Sequence, residues 1–238
     1  CRYRNVYGVV IACVTVYEPQ VVELVNSEVP VVTIDHVFNN RMAILSDNVF
    51  GLKALVRQAW ACGHRRIAFG PASAGFSLES DHAWALRYQG YLEALEEAGV
   101  EFDERLVVES GMWHRSDGVR VMNALLDSGV VPDGVVALND MLASGVMHAI
   151  QMHGLHIPDD ISVVGFDNSD DSQYLSPALT SIAPGLEAVA RLSVKVLKER
   201  IDGRDPNADK PGEKVFRKVA SSLVVRQSTK LPADSLVL

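Results

Sequence analysis

No apolar run in this chain approaches the ~18 residues that a membrane-spanning helix needs, so no transmembrane segment is expected. Basic residues are in deficit. Against 30 Asp and Glu there are 22 Lys and Arg, for a net charge of -8 and a pI near 5.3. An acidic chain repels phosphate, so these residues are not expected to carry a DNA-binding face by themselves. Cysteine is scarce. Cys1, Cys13 and Cys62 are odd in number and lack metal-ligand spacing, which fits a reducing cytoplasm with Cys13 and Cys62 as small buried residues. There is no Asn-x-Ser/Thr sequon and no visible signal peptide, although an opening on Cys1 rather than Met leaves a leader upstream open. The signatures of several enzyme classes are missing too. The chain has no Gly-x-Ser-x-Gly elbow, no phosphate-cradling glycine-rich loop and no Gly-x-Gly-x-x-Gly after a strand. His153 and His156 are three apart, but Gly154 interrupts the helix between them, so zinc is not expected. No pair of carboxylates is placed by sequence as acid and base. A binding protein without metal or cofactor is expected, not an enzyme. Long linkers, low-complexity tracts and solenoid repeats are also lacking.

What is there is apolar and periodic. Hydrophobic residues make up 48% of 238, enough to bury a large core in one domain or two lobes. Short β-branched runs predict strands at Val6–Val14, Val31–Asp35, Ala43–Asp47, Arg66–Gly70, Leu106–Glu109, Gly134–Leu138 and Ile161–Phe166. Helical spacing, as in Leu52, Leu55, Val56 and Ala59, predicts helices near Pro19–Ser27, Gly51–Cys62, Ala83–Ala98, Ser116–Ser128, Met141–His153 and Gly185–Asp202. Gly63, Gly99 and Gly154 fall just past helix ends, where a left-handed cap is usual. Strands alternating with helices of this length imply a parallel α/β sheet.

The most informative stretch is Pro158 to Asn168, Pro-Asp-Asp-Ile-Ser-Val-Val-Gly-Phe-Asp-Asn. It reads as a turn, a strand covered on both faces, and then a carboxylate and an amide at the strand's end. In an open parallel sheet, ligands sit beyond the carboxyl ends of the strands, where Asp167 falls. The competing reading of Asp167 is a capping residue. Arg87, early in a helix, is by default a solvated arginine, although a cation near a helix start gains nothing from the dipole. Asn139 and Asp140 follow a strand and open a helix. Capping accounts for one of them, Asp140 being preferred, and leaves Asn139 to face a ligand. Trp113 lies between Gly111 and His114 with no apolar period around it, though a lone Trp is more often core. Phe50 is a weaker case of the same kind, and Asp47 near it reads equally as a helix cap. His64 is read as a cap at the carboxyl end of its preceding helix.

With Gly63-His64-Arg65-Arg66-Ile67-Ala68-Phe69, Asn139-Asp140 and Leu223-Val224-Val225-Arg226-Gln227-Ser228-Thr229, the Pro158–Asn168 stretch resembles the effector-binding core of the lactose, galactose and purine repressor family. The resemblance covers nearly all of this chain, but only the later part of the family's length. Two strand–helix units, and before them a hinge helix and a helix-turn-helix head, are expected to precede Cys1. The resemblance implies a two-lobed, periplasmic-binding-protein-like α/β fold. Each lobe would be a parallel sheet with helices on both faces, and three crossovers would join the lobes. Residues 1–64 with 183–210 would form the first lobe, and 65–182 with 211–238 the second. It implies a small-molecule effector, a sugar, held between the lobes by Arg87, Asp167, Asn139, Trp113, Phe50 and Asp81. Ala83 and Trp84 would lie with Asp81 in the specificity segment, where Asp81 favours a hydroxyl-bearing or cationic ligand. Pro184 departs from the polar residue of some sugar-binding members. Partners would be operator DNA, through a head absent from this chain, and a second copy in a homodimer, with no membrane. The Leu231–Leu238 tail has no heptad repeat for a tetramerisation bundle. The rival is an extracytoplasmic sugar-binding protein of a transporter, which shares the fold.

Overall fold

The computed structural model describes residues 6–12, 19–38, 41–61, 63–72, 83–109, 113–204 and 215–230. In chain order the elements are β1 (Val9–Ala12), α1 (Pro19–Val25), β2 (Val31–Ile34), β3 (Met42–Ser46), α2 (Asn48–Ala61), β4 (Ile67–Ala72), α3 (Ala83–Glu97), β5 (Val107–Glu109), α4 (Arg115–Asp127), β6 (Gly134–Ala137), α5 (Asp140–Met152), β7 (Ser162–Phe166), β8 (Thr180–Ala183), α6 (Leu186–Ile201), β9 (Val215–Val219) and β10 (Ser222–Val224). Short 3-10 turns at Glu104–Leu106 and Asp170–Tyr174 precede β5 and β8. The six helices match the predicted ones to within a few residues at each end. Gly63, Gly99 and Gly154 all have positive φ, as caps at helix ends require.

One compact unit is built from residues up to 47 together with Ala83 and Gly185–Ala220. Its sheet has the order β1-β2-β3-β9, parallel throughout. Neighbouring residues on a strand point to opposite faces, and β2 uses both. Val32 packs with Met42, Ile44, Val189 and Val196, under α6, while Val31 packs with Ile11 and Val25, under α1. Helices thus cover both faces, which is why the strands read as unbroken apolar runs.

The other unit holds Asn48–Ser80, Trp84–Pro184 and the chain from Ser221 onward. Its six-stranded sheet has the order β10-β8-β7-β6-β4-β5. All neighbours are parallel except β10, which runs antiparallel to β8. β6 and β7 are buried along their whole length. They join Leu52, Leu55, Tyr91, Leu142 and Ile150, among others, in one core cluster.

Among the described residues, then, the chain passes between units at 47/48, 83/84, 184/185 and 220/221. These points differ from the expected boundaries, which put 48–64 in the first lobe and 211–238 in the second. The reasons are physical. α2 buries Leu52, Leu55 and Val56 in the core of the second unit. β9 pairs with β3 along five residues, from Met42↔Val215 to Ser46↔Val219, and so belongs to the first unit's sheet. The strand expected at Val6–Val14 is β1 over Val9–Ala12, with residues 13 and 14 outside the described residues. β8, β9 and β10 had no counterpart in the sequence reading.

Candidate functional site

The second unit gathers polar groups where β6 and β7 end. Beyond β7 the backbone turns sharply. Asp167 has φ 102° and Asn168 φ 47°, left-handed values that cost a non-glycine residue about 1–3 kcal/mol each unless the surroundings enforce them. The enforcement is visible. Asp167 N–H donates to the Ile182 carbonyl at 2.9 Å, and Asn168 N–H to Ser181 Oγ at 3.0 Å. Arg226 donates through Nη2 to Asn168 Oδ1 and through Nη1 to the Leu179 carbonyl, both at 2.7 Å. Beneath the turn lies Asp140, only 4% exposed. Its carboxylate accepts from Ser181 Oγ at 2.6 Å, Ser172 Oγ at 2.7 Å and the Ser169 amide at 2.6 Å. Gly165 makes room for it, since a Cβ there would stand 2.1 Å from Asp140 Oδ1. The result presents the Asp167 side chain 46% exposed at the carboxyl end of β7.

Arg87, the second residue of the constellation, is not the solvated arginine that composition would favour. It is 8% exposed. Its Nε–H donates to Asn48 Oδ1 at 2.9 Å, and Nη1 donates to the carbonyl of Leu138, at the end of β6. The guanidinium lies 3.4 Å from the centroid of the Phe166 ring, a cation–π contact in a desolvated place. Nη2 stands 3.6 Å from Asp167 Oδ1, near enough to attract but beyond hydrogen-bond length.

The cap is Asn139 and not, as expected, Asp140. Asn139, with extended φ −152°, is the N-cap of α5, and its Oδ1 accepts from the Leu142 amide at 2.7 Å. Asp140 is instead the buried anchor of the Asp167 turn. Asn139 turns its Nδ2 toward the Trp113 carbonyl at 3.4 Å. Trp113 is half-buried and packs on the core cluster. Contacts therefore run from Asp167 through Arg87 to Leu138, and from the adjoining Asn139 to Trp113. Phe50, 45% exposed, sits in the first turn of α2 with Asn48. Asp81 lies outside the described residues, as does the side chain of Trp84. Ala83 begins α3 and is half-buried, and Pro184 is buried. His64 does not cap α2 with its ring. The end of α2 is closed by backbone bonds from Gly63 N–H to Trp60 O and from His64 N–H to Ala59 O. The ring is buried, with Nδ1 3.6 Å from Asp133 Oδ1.

Asn48, Asp140, Phe166 and Arg226 were not singled out as site residues by the sequence. None of them gave a local sign of its partners. Among the described residues no group of three His, Cys, Asp or Glu is placed to hold a metal ion. Among the described residues no helix is long and apolar enough to cross a membrane.

Two parallel α/β units, with a buried arginine and a half-exposed aspartate at the strand ends of one, define the periplasmic-binding-protein-like class of ligand-binding cores. The chain belongs to the periplasmic binding protein-like domain family, whose model matches residues 56–229, and it has the form of the effector-binding core of LacI/GalR-type regulators. It is 35% identical over 144 residues to the HTH-type transcriptional repressor PurR of Pasteurella multocida, covering 60% of this chain and 41% of that protein. A LacI-type transcription regulator from Bifidobacterium animalis subsp. lactis superposes with a TM-score of 0.83 at 29% identity, over 97% of this chain and 81% of the other. The transcriptional regulator CelR in complex with cellobiose does so with a TM-score of 0.81 at 29% identity, over 94% and 66%. The chain spans between 41% and 66% of the length of the curated relatives it matches.

Proposed function

We propose that this chain is the sugar-sensing core of a cytoplasmic LacI-type transcriptional regulator, a binding module and not an enzyme. The observation that carries the reading is the pairing of Arg87 Nη2 with the half-exposed Asp167 carboxylate beyond β6 and β7. A rigid donor beside an acceptor suits two neighbouring hydroxyls of a neutral ligand. The solved CelR–cellobiose complex supports a sugar as the ligand class. Asn139, Trp113, Phe50 and Asp81 complete the contact set, with Trp113 and Phe50 offering apolar surface to the C–H face of a sugar ring. In this reading effector binding changes the angle between the two units. That change alters the spacing of DNA-reading heads in a homodimer of the intact protein, a rigid-body allosteric mechanism. Operator DNA is bound by the heads and not by this acidic core.

The test is calorimetry on the intact protein with cellobiose, a panel of monosaccharides and, in parallel, a purine base. A sugar is expected to bind. Asp167→Ala should weaken that binding by roughly 1.5–3 kcal/mol, about 10- to 150-fold, the range for losing a charged hydrogen-bond partner. Binding of the purine base alone would overturn the sugar assignment, and unchanged affinity in Asp167→Ala would remove Asp167 from the site.

A further inference from the structure

We propose that Asn48 is a positioning residue: it sets the plane of the Arg87 guanidinium and ties that arginine to the segment where the chain leaves the first unit. The inference rests on the reading of Arg87 as a ligand-binding group and deepens it. A guanidinium is planar, so bonds at two of its nitrogens fix its orientation. Here the two are Nε, on Asn48 Oδ1, and Nη1, on the Leu138 carbonyl, with the Phe166 ring against one face. Nη2, the nitrogen left nearest Asp167, is thereby held in one direction. Asn48 is 1% exposed, and the bond it accepts is buried. A buried bond to a charged donor is stronger than its exposed equivalent and harder to replace.

The approach of α2 to α3 that makes this bond possible is itself specified. Gly90 lies one turn beyond Arg87, and a Cβ there would stand 2.6 Å from the Val49 carbonyl and 2.9 Å from Leu52 Cβ. Only glycine lets the first turn of α2 lie so close to α3. The residue before Asn48 belongs to the other unit. Asp47 N–H donates to the Val219 carbonyl at 2.8 Å, and its Oδ1 lies 3.5 Å from Lys218 Nζ, both partners on β9. One peptide bond therefore joins a residue anchored in the first unit's sheet to the residue that holds the arginine.

An asparagine opening a helix also has capping value, and the test must separate the two roles. Serine caps as well as asparagine but is too short to reach Arg87, whereas aspartate keeps both the cap and the acceptor. The Arg87 Nε–H resonance, assigned by its loss in Arg87→Lys, is followed by nitrogen-15 NMR on the intact protein without ligand. Slow solvent exchange is expected in the wild type and in Asn48→Asp, and fast exchange in Asn48→Ser. Persistent protection in Asn48→Ser overturns the proposal. If Asn48→Ser does not fold, Asn48→Asp decides alone, because a charged acceptor must move the resonance and an unmoved one refutes the contact. Calorimetry with cellobiose then reads the ligand role. Asn48→Ser should bind about tenfold more weakly or worse, and Asn48→Asp close to wild type. Unchanged affinity in Asn48→Ser, where the resonance has lost protection, also overturns the proposal. Failure of the wild type to bind cellobiose or any other sugar strikes the sugar reading instead, and leaves the NMR result to judge Asn48.

Discussion

Replacing Asp140 by asparagine removes one charge and almost no volume, and it isolates the network beneath the Asp167 turn. The native carboxylate accepts three hydrogen bonds, two on Oδ2 from Ser169 N–H and Ser172 Oγ and one on Oδ1 from Ser181 Oγ. The amide oxygen of asparagine can keep the first two. Its NH2 group then faces the Ser181 hydroxyl, which already accepts from Asn168 N–H and loses the acceptor for its own proton. Charged hydrogen bonds contribute roughly 1.5–3 kcal/mol and neutral ones roughly 0.5–1.5, so each retained bond weakens by about 1 kcal/mol. The bond to Ser181 is lost. The sum is about 3.5–5 kcal/mol.

That loss also falls on a strained segment. Asp167 and Asn168 hold positive φ only because their amides are committed to Ile182 and to Ser181. Asp140→Asn should therefore lower the stability of the second unit and loosen the Asp167 turn together. Urea denaturation followed by circular dichroism reads the first. Calorimetry with the sugar that binds the wild type reads the second, and weaker binding is expected even in the fully folded variant. A stability within about 0.5 kcal/mol of wild type would refute the accounting, because three buried bonds to a carboxylate cannot be neutralised at no cost.

A pH dependence follows from the ladder between α2 and α3. Lys53 Nζ lies 2.7 Å from Glu93 and 2.8 Å from Glu97, and hydrogen bonds from Lys53 hold both carboxyls below their ordinary value of 4.5. A depressed carboxyl stabilises the fold above its ordinary value and ceases to as pH falls through its folded value. Lys53→Met should thus lower the thermal midpoint at pH 7, and the gap to wild type should close as pH falls below 4.5; a gap that persists in acid would assign the effect to packing. The intact protein should be a two-fold dimer, because two DNA heads must address two half-sites a fixed distance apart. Light scattering at micromolar concentration giving a monomer or tetramer mass would refute that.

The helices were legible because their apolar residues recur at a period that nothing else in the chain imitates. β6 and β7 were legible because a strand covered on both faces leaves an unbroken apolar run. β8 was not, because it buries Thr180 and Ser181, whose hydroxyls are satisfied by Thr229 and Asp140 far away in sequence. β9 alternates half-buried with exposed residues, including Phe216 and Lys218, and shows its identity only in its pairing with β3. The unit boundaries were displaced for the same reason, since nothing within α2 tells which sheet it covers. At the site, Asp167 could be placed from the strand before it and Arg87 only from the family resemblance. The choice between Asn139 and Asp140 as cap could not be made locally. Both are good N-caps, and what separates them is the cluster of serines from 169 to 181 that only the fold brings to Asp140.

Arg87 and Asp167 also bear on which ligands the site can take. A buried arginine bonded tightly to a carboxylate would be a closed ion pair with little left for a ligand. Here the separation is 3.6 Å, and the arginine donates hydrogen bonds to a side-chain amide and a backbone carbonyl. A side-chain amide, a backbone carbonyl and an aromatic face thus share in holding the cation. The carboxylate is fixed from beneath by the Asp140 network and stays half exposed. In the proposed reading, a ligand hydroxyl donates to Asp167 while a neighbouring oxygen accepts from Nη2. Preorganisation of this kind spares the ordering cost of binding. An anionic ligand would meet the Asp167 charge and a cationic one the Arg87 charge. The arrangement favours a neutral molecule with adjacent hydroxyls, the same chemistry by which the sugar reading was reached.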